Sequence, residues 1–283
     1  MHETDPNLQV YSSPEVTAHY RNLQYLSAAE QLLFGRYIKR GAAILDLGVG
    51  GGRTTPYLSE LASRYVGADY AEAMVLSCRS KFPDLCFVVT DAADLSRFDD
   101  HVFDVVVMAF NGLDYLLPDS SRRRALAEIR RVLKPGGAFI FSSHNPRAIL
   151  QRPSWNPKRI EQMARRIAGE RGPFFLLTKR ILTVARVGVA FGQAIALSVV
   201  RSFQRSTKRA FWSGEGWMVD SAHGGLVTHY AVPGRVTGEL TDSGFDLRDI
   251  VGDDYPRTSR PSWTGWYYYA CVTNSESEPN ACA

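Results

Sequence analysis

The sequence predicts an α/β chain built on a doubly wound, largely parallel sheet, and three observations carry that expectation. A short apolar run, Ala42 to Leu47, breaks into a glycine-rich turn, Gly48-Val49-Gly50-Gly51-Gly52, that opens a helix. An acid, Asp69, ends a second apolar run about twenty residues further on, the spacing at which a nucleoside ribose is met in open α/β sheets. Further apolar runs at Phe87 to Thr90, Phe103 to Phe110 and Ala138 to Ser143 end in polar loops, as strands covered on both faces do. Glycines without a Cβ let the main chain take positive φ and let a ligand sit almost on the backbone. In such a sheet that crevice lies at the carboxyl ends of the strands.

The details of the turn separate two ligands. A dinucleotide turn, G-x-G-x-x-G, needs a glycine where Arg53 stands, and Asp46 just before the turn would repel a pyrophosphate. A sulfonium ligand carrying an ammonium group would be tolerated or attracted. The ordered motifs Asp46-x-Gly48-x-Gly50-x-Gly52, Asp69, Thr90-Asp91-Ala92 and Leu133-Lys134-Pro135-Gly136-Gly137 resemble those of the class I S-adenosylmethionine-dependent methyltransferases, over roughly residues 20 to 145. The resemblance implies a Rossmann-like, doubly wound seven-stranded sheet with S-adenosyl-L-methionine as cofactor and no metal. It implies that Asp46, Gly48 and Gly50 lie against the cofactor at the turn, that Asp69 holds the ribose hydroxyls, and that Asp91 with the amide of Ala92 reads the adenine edge. Tyr70 and Met74 would sandwich the adenine, and Met108 and Ala109 would border the methionine part. Tyr11, Tyr20 and Arg21 read first as packing groups, while the resemblance implies that such residues can also contact the cofactor carboxylate, which makes Tyr20 a cofactor-binding candidate.

Taken in order, residues 1–40 form an N-terminal helical cap. Residues 1 to 13 read as loose, and a helix starts near Ser13-Pro14-Glu15, with Tyr20, Leu23, Leu26, Ala29, Leu33 and Tyr37 at helical spacing. Residues 41–145 are the cofactor-binding core: a helix over Thr54 to Ser63, a strand over Tyr65 to Asp69, an Arg-rich amphipathic helix over Ser121 to Leu133, and a glycine stop before the fifth strand. Residues 146–217 read as a basic helical insertion after that strand, forming a lid on the acceptor side. Residues 218–273 complete the core sheet, with extended runs at Leu226 to Val232 and Phe245 to Ile250 and a final antiparallel strand at Trp266 to Val272. Residues 274–283 are polar and read as a disordered tail.

Composition excludes several classes. The 283-residue chain has a formal net charge of +4, and its start lacks the basic and apolar segments of a signal peptide, which predicts a cytoplasmic protein. Cys78, Cys86, Cys271 and Cys282 lack metal-ligand spacing and read as free thiols. The insertion holds fourteen Lys and Arg against three Glu, including Arg147, Lys158, Arg186 and Arg209, which points to an anionic partner. Its apolar run Ile181 to Val200 contains Arg186 and Gln193, so it reads as a buried or lid helix rather than a membrane span. No target-recognition motif accompanies the basic charge, and nucleic acid is not expected as a partner.

The motifs stop at the cofactor, so the acceptor is read from loop positions. Asn111, Asp114 and Tyr115 follow the fourth strand and face the crevice. His144 and His223 are the candidate bases, and His229 and Tyr230 lie on the acceptor side. The stretch Asp220 to Tyr230 resembles a subgroup of bacterial methyltransferases of poorly defined substrate, some of them linked to modified peptides and other natural products. The insertion's charge favours a small molecule or peptide whose carboxylate is O-methylated without a base. A neutral hydroxyl or amine, which needs one, is the alternative. A non-catalytic partner subunit that binds S-adenosylmethionine, or an oxidoreductase of the same fold, stands in a different class.

Overall fold

The computed structural model describes residues 6–147, 212–220, 226–257 and 264–274. Strands β1 (Ala42–Leu47), β2 (Ala62–Asp69), β3 (Cys86–Val89), β4 (Phe103–Met108) and β5 (Leu133–His144) run parallel. They join β8 (Phe245–Gly252) and β9 (Trp266–Thr273) in one seven-stranded sheet of order β3-β2-β1-β4-β5-β9-β8. β9 is antiparallel to both its neighbours. β1 is central, and the strand order reverses beside it, so the crevice opens at the turn that follows Leu47.

Alternation along each strand feeds two cores. On one face Leu45, Leu47, Val106, Phe139 and Phe141 pack with α6 (Asp119–Val132) and α7 (Pro233–Asp242) through Leu126, Ile129, Val236 and Leu240. On the other, Ile44, Val105, Val107 and Ile140 pack with α3 (Ala28–Tyr37), α4 (Thr55–Leu61) and α5 (Glu72–Lys81) through Leu33, Phe34, Leu58 and Val75. Each such fully buried side chain contributes about 1.5–3 kcal/mol.

Three readings are corrected. Instead of loose residues followed by one long helix, the N-terminus holds α1 (Pro6–Tyr11), α2 (Pro14–Arg21) and then, after a break, α3. Asn22 closes α2, and Ser27 with Glu30 forms a reciprocal capping box that starts α3, so local capping overrides the apolar spacing. α1 is ordered because the side chain of Asn7 donates to the carbonyls of Tyr115 and Val227 at 3.1 and 2.9 Å and accepts from the Val227 amide at 3.0 Å. Finally, β7 (Leu226–Ala231) does not join the core sheet; it pairs antiparallel with β6 (Glu215–Asp220) in a separate two-stranded ribbon. Trp217, the expected end of the insertion, therefore sits inside β6, and the remainder of that insertion, 148–211, lies outside the described residues. Among the described residues no helix is long and apolar enough to cross a membrane.

Candidate functional site

The turn after β1 does what its glycines predict. Gly48, Gly50 and Gly52 have φ of 68°, 54° and 77°, a region L side chains avoid. A Cβ on Gly51 would collide with the Tyr20 carbonyl group, so the end of α2 lies directly on the turn. Lys81 fastens the contact by donating to the carbonyls of Arg21 and Gly51 at 2.8 and 3.3 Å. Gly51→Ala is expected to push α2 off the turn and lower stability by about 1–3 kcal/mol, read as a lower Tm in thermal unfolding. An unchanged Tm would show that α2 does not depend on this contact.

Asp69 ends β2 with both oxygens engaged: Oδ2 accepts from the Gly50 amide at 2.8 Å and Oδ1 from the Ala71 amide at 2.9 Å. Burial pushes its pKa up to about 6 against the lowering effect of these amides. Asp46 differs from expectation. It is buried beneath the turn, where Oδ2 accepts from the Thr54 and Tyr65 hydroxyls at 2.8 Å each, and it is not among the residues lining the cavity. It braces the turn rather than facing a ligand, and burial raises its pKa to about 6 as well.

Tyr20, Gly48, Gly50, Asp69, Tyr70, Met74, Asp91, Ala92, Met108 and Ala109 line one cavity at the carboxyl ends of β1, β2 and β4. Beside them stand Tyr11, Phe110 and Tyr115. Tyr11 meets Tyr20, Tyr70 and Tyr115 edge to face at 5.9, 6.2 and 5.8 Å between ring centroids, and Tyr20 meets Phe110 at 6.3 Å. These are favourable aromatic geometries and make a continuous apolar wall. Phe110 and Asn111 hold φ of 58° and 63°, an unusual pair of left-handed residues. The Asn111 amide donates to Ser142 Oγ at 2.8 Å, which fixes this bend at the mouth of β4.

Asn111 and Asp114 are not in the cavity wall but one layer behind Tyr115, in a buried polar chain. Asp114 is fully buried. Its Oδ1 accepts from Ser143 Oγ at 2.8 Å and Arg122 Nη1 at 2.9 Å, and its Oδ2 accepts from the His144 amide at 2.6 Å and lies 2.9 Å from His144 Nδ1. Burial alone would raise the pKa of Asp114; the His144 hydrogen bond and the Arg122 charge outweigh it and hold the carboxyl below its usual range. With Nδ1–H donating to Asp114, the other ring nitrogen, Nε2, presents its lone pair, 3.1 Å from Asn111 Nδ2. The imidazole packs between Tyr115, Tyr230 and Trp266 at 5.9, 4.9 and 6.5 Å.

His229 and Tyr230 part company because successive residues of β7 point to opposite faces. Tyr230 reaches His144, whereas His229 faces a different cavity between α6 and α7, with Nε2 3.3 Å from Glu215. Its placement on the acceptor side is thus corrected; burial, then the charge of Arg122, lowers its pKa. His223 lies outside the described residues. Among the described residues no group of three or more His, Cys, Asp or Glu is placed to hold a metal ion, and Cys78, Cys86 and Cys271 are free.

Sequence reasoning missed the role of Arg53. Its guanidinium pairs with buried Glu30, at 2.9 Å through Nη1, and lies over the rings of Tyr25 and Phe110 at 5.1 and 5.0 Å. The residue that breaks the dinucleotide pattern therefore ties α3 to the turn. The Ser27-x-x-Glu30 capping signal could have located Glu30, but nothing local points to its partner.

A parallel sheet of this order closed by an antiparallel strand, with a glycine turn and an acid at the tip of β2, defines the class I S-adenosylmethionine-dependent methyltransferase fold. This chain matches the family described as methyltransferase domain over residues 44–137. It is 37% identical over 104 residues to the demethylmenaquinone methyltransferase of Clavibacter sepedonicus, covering 36% of this chain and 40% of that protein. It is 33% identical over 151 residues to the phthiotriol/phenolphthiotriol dimycocerosates methyltransferase of Mycobacterium tuberculosis strain H37Rv, covering 51% and 52%. The chain thus spans about half or less of these relatives. The solved CcbJ methyltransferase from Streptomyces caelestis, 17% identical, superposes with a TM-score of 0.57 over 94% of this chain and 98% of that one, and shares the fold.

Proposed function

We propose that the protein transfers a methyl group from S-adenosylmethionine to a hydroxyl group of an apolar, ring-bearing small molecule. The aromatic wall carries this reading: Tyr11, Tyr20, Phe110 and Tyr115 line the same cavity as Asp69 and Asp91. The fit to the cofactor rests on the same cavity, where a main chain free of Cβ atoms faces an acid that is already tied to the Gly50 amide. Gly48 and Gly50 would let it approach, Asp69 would hold its ribose, Asp91 and Ala92 its adenine edge, and Tyr70 and Met74 its flat faces. When bound, S-adenosylmethionine supplies an electrophilic methyl group: the S–CH3 bond breaks as the O–CH3 bond forms, and the electron pair stays on sulfur.

The chain's own residues then align the acceptor, exclude water and take the proton. Phe110 and Tyr115 make a flat apolar surface for a ring. His144 is not among the residues lining the cavity and stands behind Tyr115, 5.9 Å ring to ring, so this reading requires the acceptor hydroxyl to reach past Tyr115 to Nε2, where Asp114 on Nδ1 would steady the imidazolium. Asn111 gives way at Nε2 for the acceptor and afterwards turns its amide oxygen, which has no hydrogen-bond partner, to the new N–H. The relatives named for demethylmenaquinone and for phthiotriol dimycocerosates support a small-molecule acceptor.

Carboxylate O-methylation is the second reading, favoured by the basic charge of residues 146–217. Against it, the described lining residues include no cation to receive a carboxylate. A panel of phenols and matched benzoic acids, offered with S-adenosylmethionine, tests the two. Methylation of phenols over acids by at least about tenfold is expected, and the reverse preference would overturn the hydroxyl reading.

Affinity for S-adenosylhomocysteine is expected to fall as pH drops below about 6. Ribose hydroxyls donate to the ionised Asp69, and burial has already raised its pKa, so protonation competes with the ligand by up to about tenfold in Kd per pH unit. Calorimetry across that range checks it; a flat profile would mean Asp69 does not bear the ribose.

A further inference from the structure

We infer that Arg122 and Glu239 are positioning residues that act through Asp114 on His144, fixing its Nδ1–H on the carboxylate and balancing the charge that His144 takes up with a proton. This inference rests on the reading of His144 as the base.

The geometry is one buried chain that starts on the far side of the domain. On α7, Glu239 receives Arg122 Nε at 2.8 and 3.0 Å through its two oxygens. On α6, the same guanidinium donates through Nη1 to Asp114 Oδ1 at 2.9 Å and to the Leu113 carbonyl at 3.0 Å. Asp114 passes the contact to His144, and His144 to Asn111 at the bend after β4. Arg122 is 2% exposed and Asp114 0%, so solvent does little to screen them. A fixed, planar guanidinium that grips Asp114 and the Leu113 carbonyl together leaves the carboxylate no freedom to turn away from the imidazole.

Charge arithmetic gives the chain its purpose. Glu239 and Asp114 carry two negative charges against the one positive charge of Arg122, so the cluster is one charge negative while His144 is neutral. It becomes balanced when His144 is protonated, which is the state reached as the acceptor loses its proton. Among the other groups facing this cluster, Glu215 carries a charge, but its side chain is 48% exposed and solvent screens it. His229, on β7, is held neutral by burial and by the Arg122 charge, with Glu215 at its exposed side. The Tyr269 hydroxyl, on β9, is kept protonated by burial beside Asp114. Tyr115 and Tyr230 contribute rings rather than charges to His144.

The two ends of the chain therefore push in opposite directions. Losing the Arg122 charge makes protonation of the Asp114–His144 pair easier, and losing the Glu239 charge makes it harder. Histidine-labelled full-length protein, saturated with S-adenosylhomocysteine, allows the His144 titration to be followed by NMR, with its signal assigned by its absence in His144→Asn. We expect the midpoint to rise by about one pH unit or more in Arg122→Met, to stay within about half a unit in Arg122→Lys, and to fall by about one unit in Glu239→Gln. Midpoints within about 0.3 unit of the parent in both Arg122→Met and Glu239→Gln would overturn the inference. Should Arg122→Met fail to fold, the half-buried Glu239→Gln decides alone: a fall supports the chain and an unmoved midpoint overturns it. Failure of the parent protein to bind S-adenosylhomocysteine would instead count against the proposed function, so the two failures are distinct.

Discussion

Asp69→Ala will weaken S-adenosylhomocysteine binding by at least about a hundredfold. Two losses combine in that variant. The ribose hydroxyls lose a charged acceptor, at about 1.5–3 kcal/mol per hydrogen bond. The glycine turn also loses its brace, because Asp69 accepts from the Gly50 and Ala71 amides at 2.8 and 2.9 Å. A loop in which Gly48, Gly50 and Gly52 all hold positive φ has many other conformations to visit once that brace is gone. Asp69→Asn separates the two effects: it retains one oxygen acceptor, and we expect an intermediate loss. Unchanged affinity by calorimetry in Asp69→Ala would remove this residue from the site.

His144→Asn will lower kcat toward a hydroxyl acceptor by about 10²–10⁴-fold, the usual contribution of a positioned base, with the S-adenosylhomocysteine Kd changed by less than about threefold. Asparagine can still offer a donor to Asp114 in place of Nδ1–H, so the buried carboxylate is not stranded. What disappears is the basic Nε2. The lining of the cavity proposed for the nucleoside does not include His144, which is why binding and turnover should separate. Retained kcat would show that the proton leaves by another route, and loss of binding along with turnover would show a structural role.

How much of this was legible in the sequence depended on the range of the contacts involved. The turn, Asp69 and the Asp91-Ala92 corner are short-range signals, since each is a strand end followed by its own loop, and they converge on one cavity. The break between α2 and α3 was also local, in Ser27 and Glu30, but the apolar spacing across Leu23 and Leu26 masked it. Other features had no local signature. Asn7 makes an ordered helix of an unremarkable segment through partners 108 and 220 residues away. Arg53 meets Glu30 across 23 residues, and Arg122 meets Glu239 across 117. Asp46 carries the residue type of a ligand contact, yet its direction depends on the Thr54 and Tyr65 hydroxyls. Likewise, His229 and Tyr230 are adjacent in sequence, and only the register of the β6-β7 ribbon decides which of them faces His144.

The central claim is that one cavity joins a nucleoside-binding turn to an aromatic acceptor wall. A crystal structure of the full chain with S-adenosylhomocysteine tests it most directly. The account predicts the ribose hydroxyls on Asp69, the adenine edge at Asp91 and Ala92, and the sulfur facing Phe110 and Tyr115. A ligand bound elsewhere, a reversed ligand with its adenine against Phe110 and Tyr115, or no bound ligand at saturating concentration would contradict it.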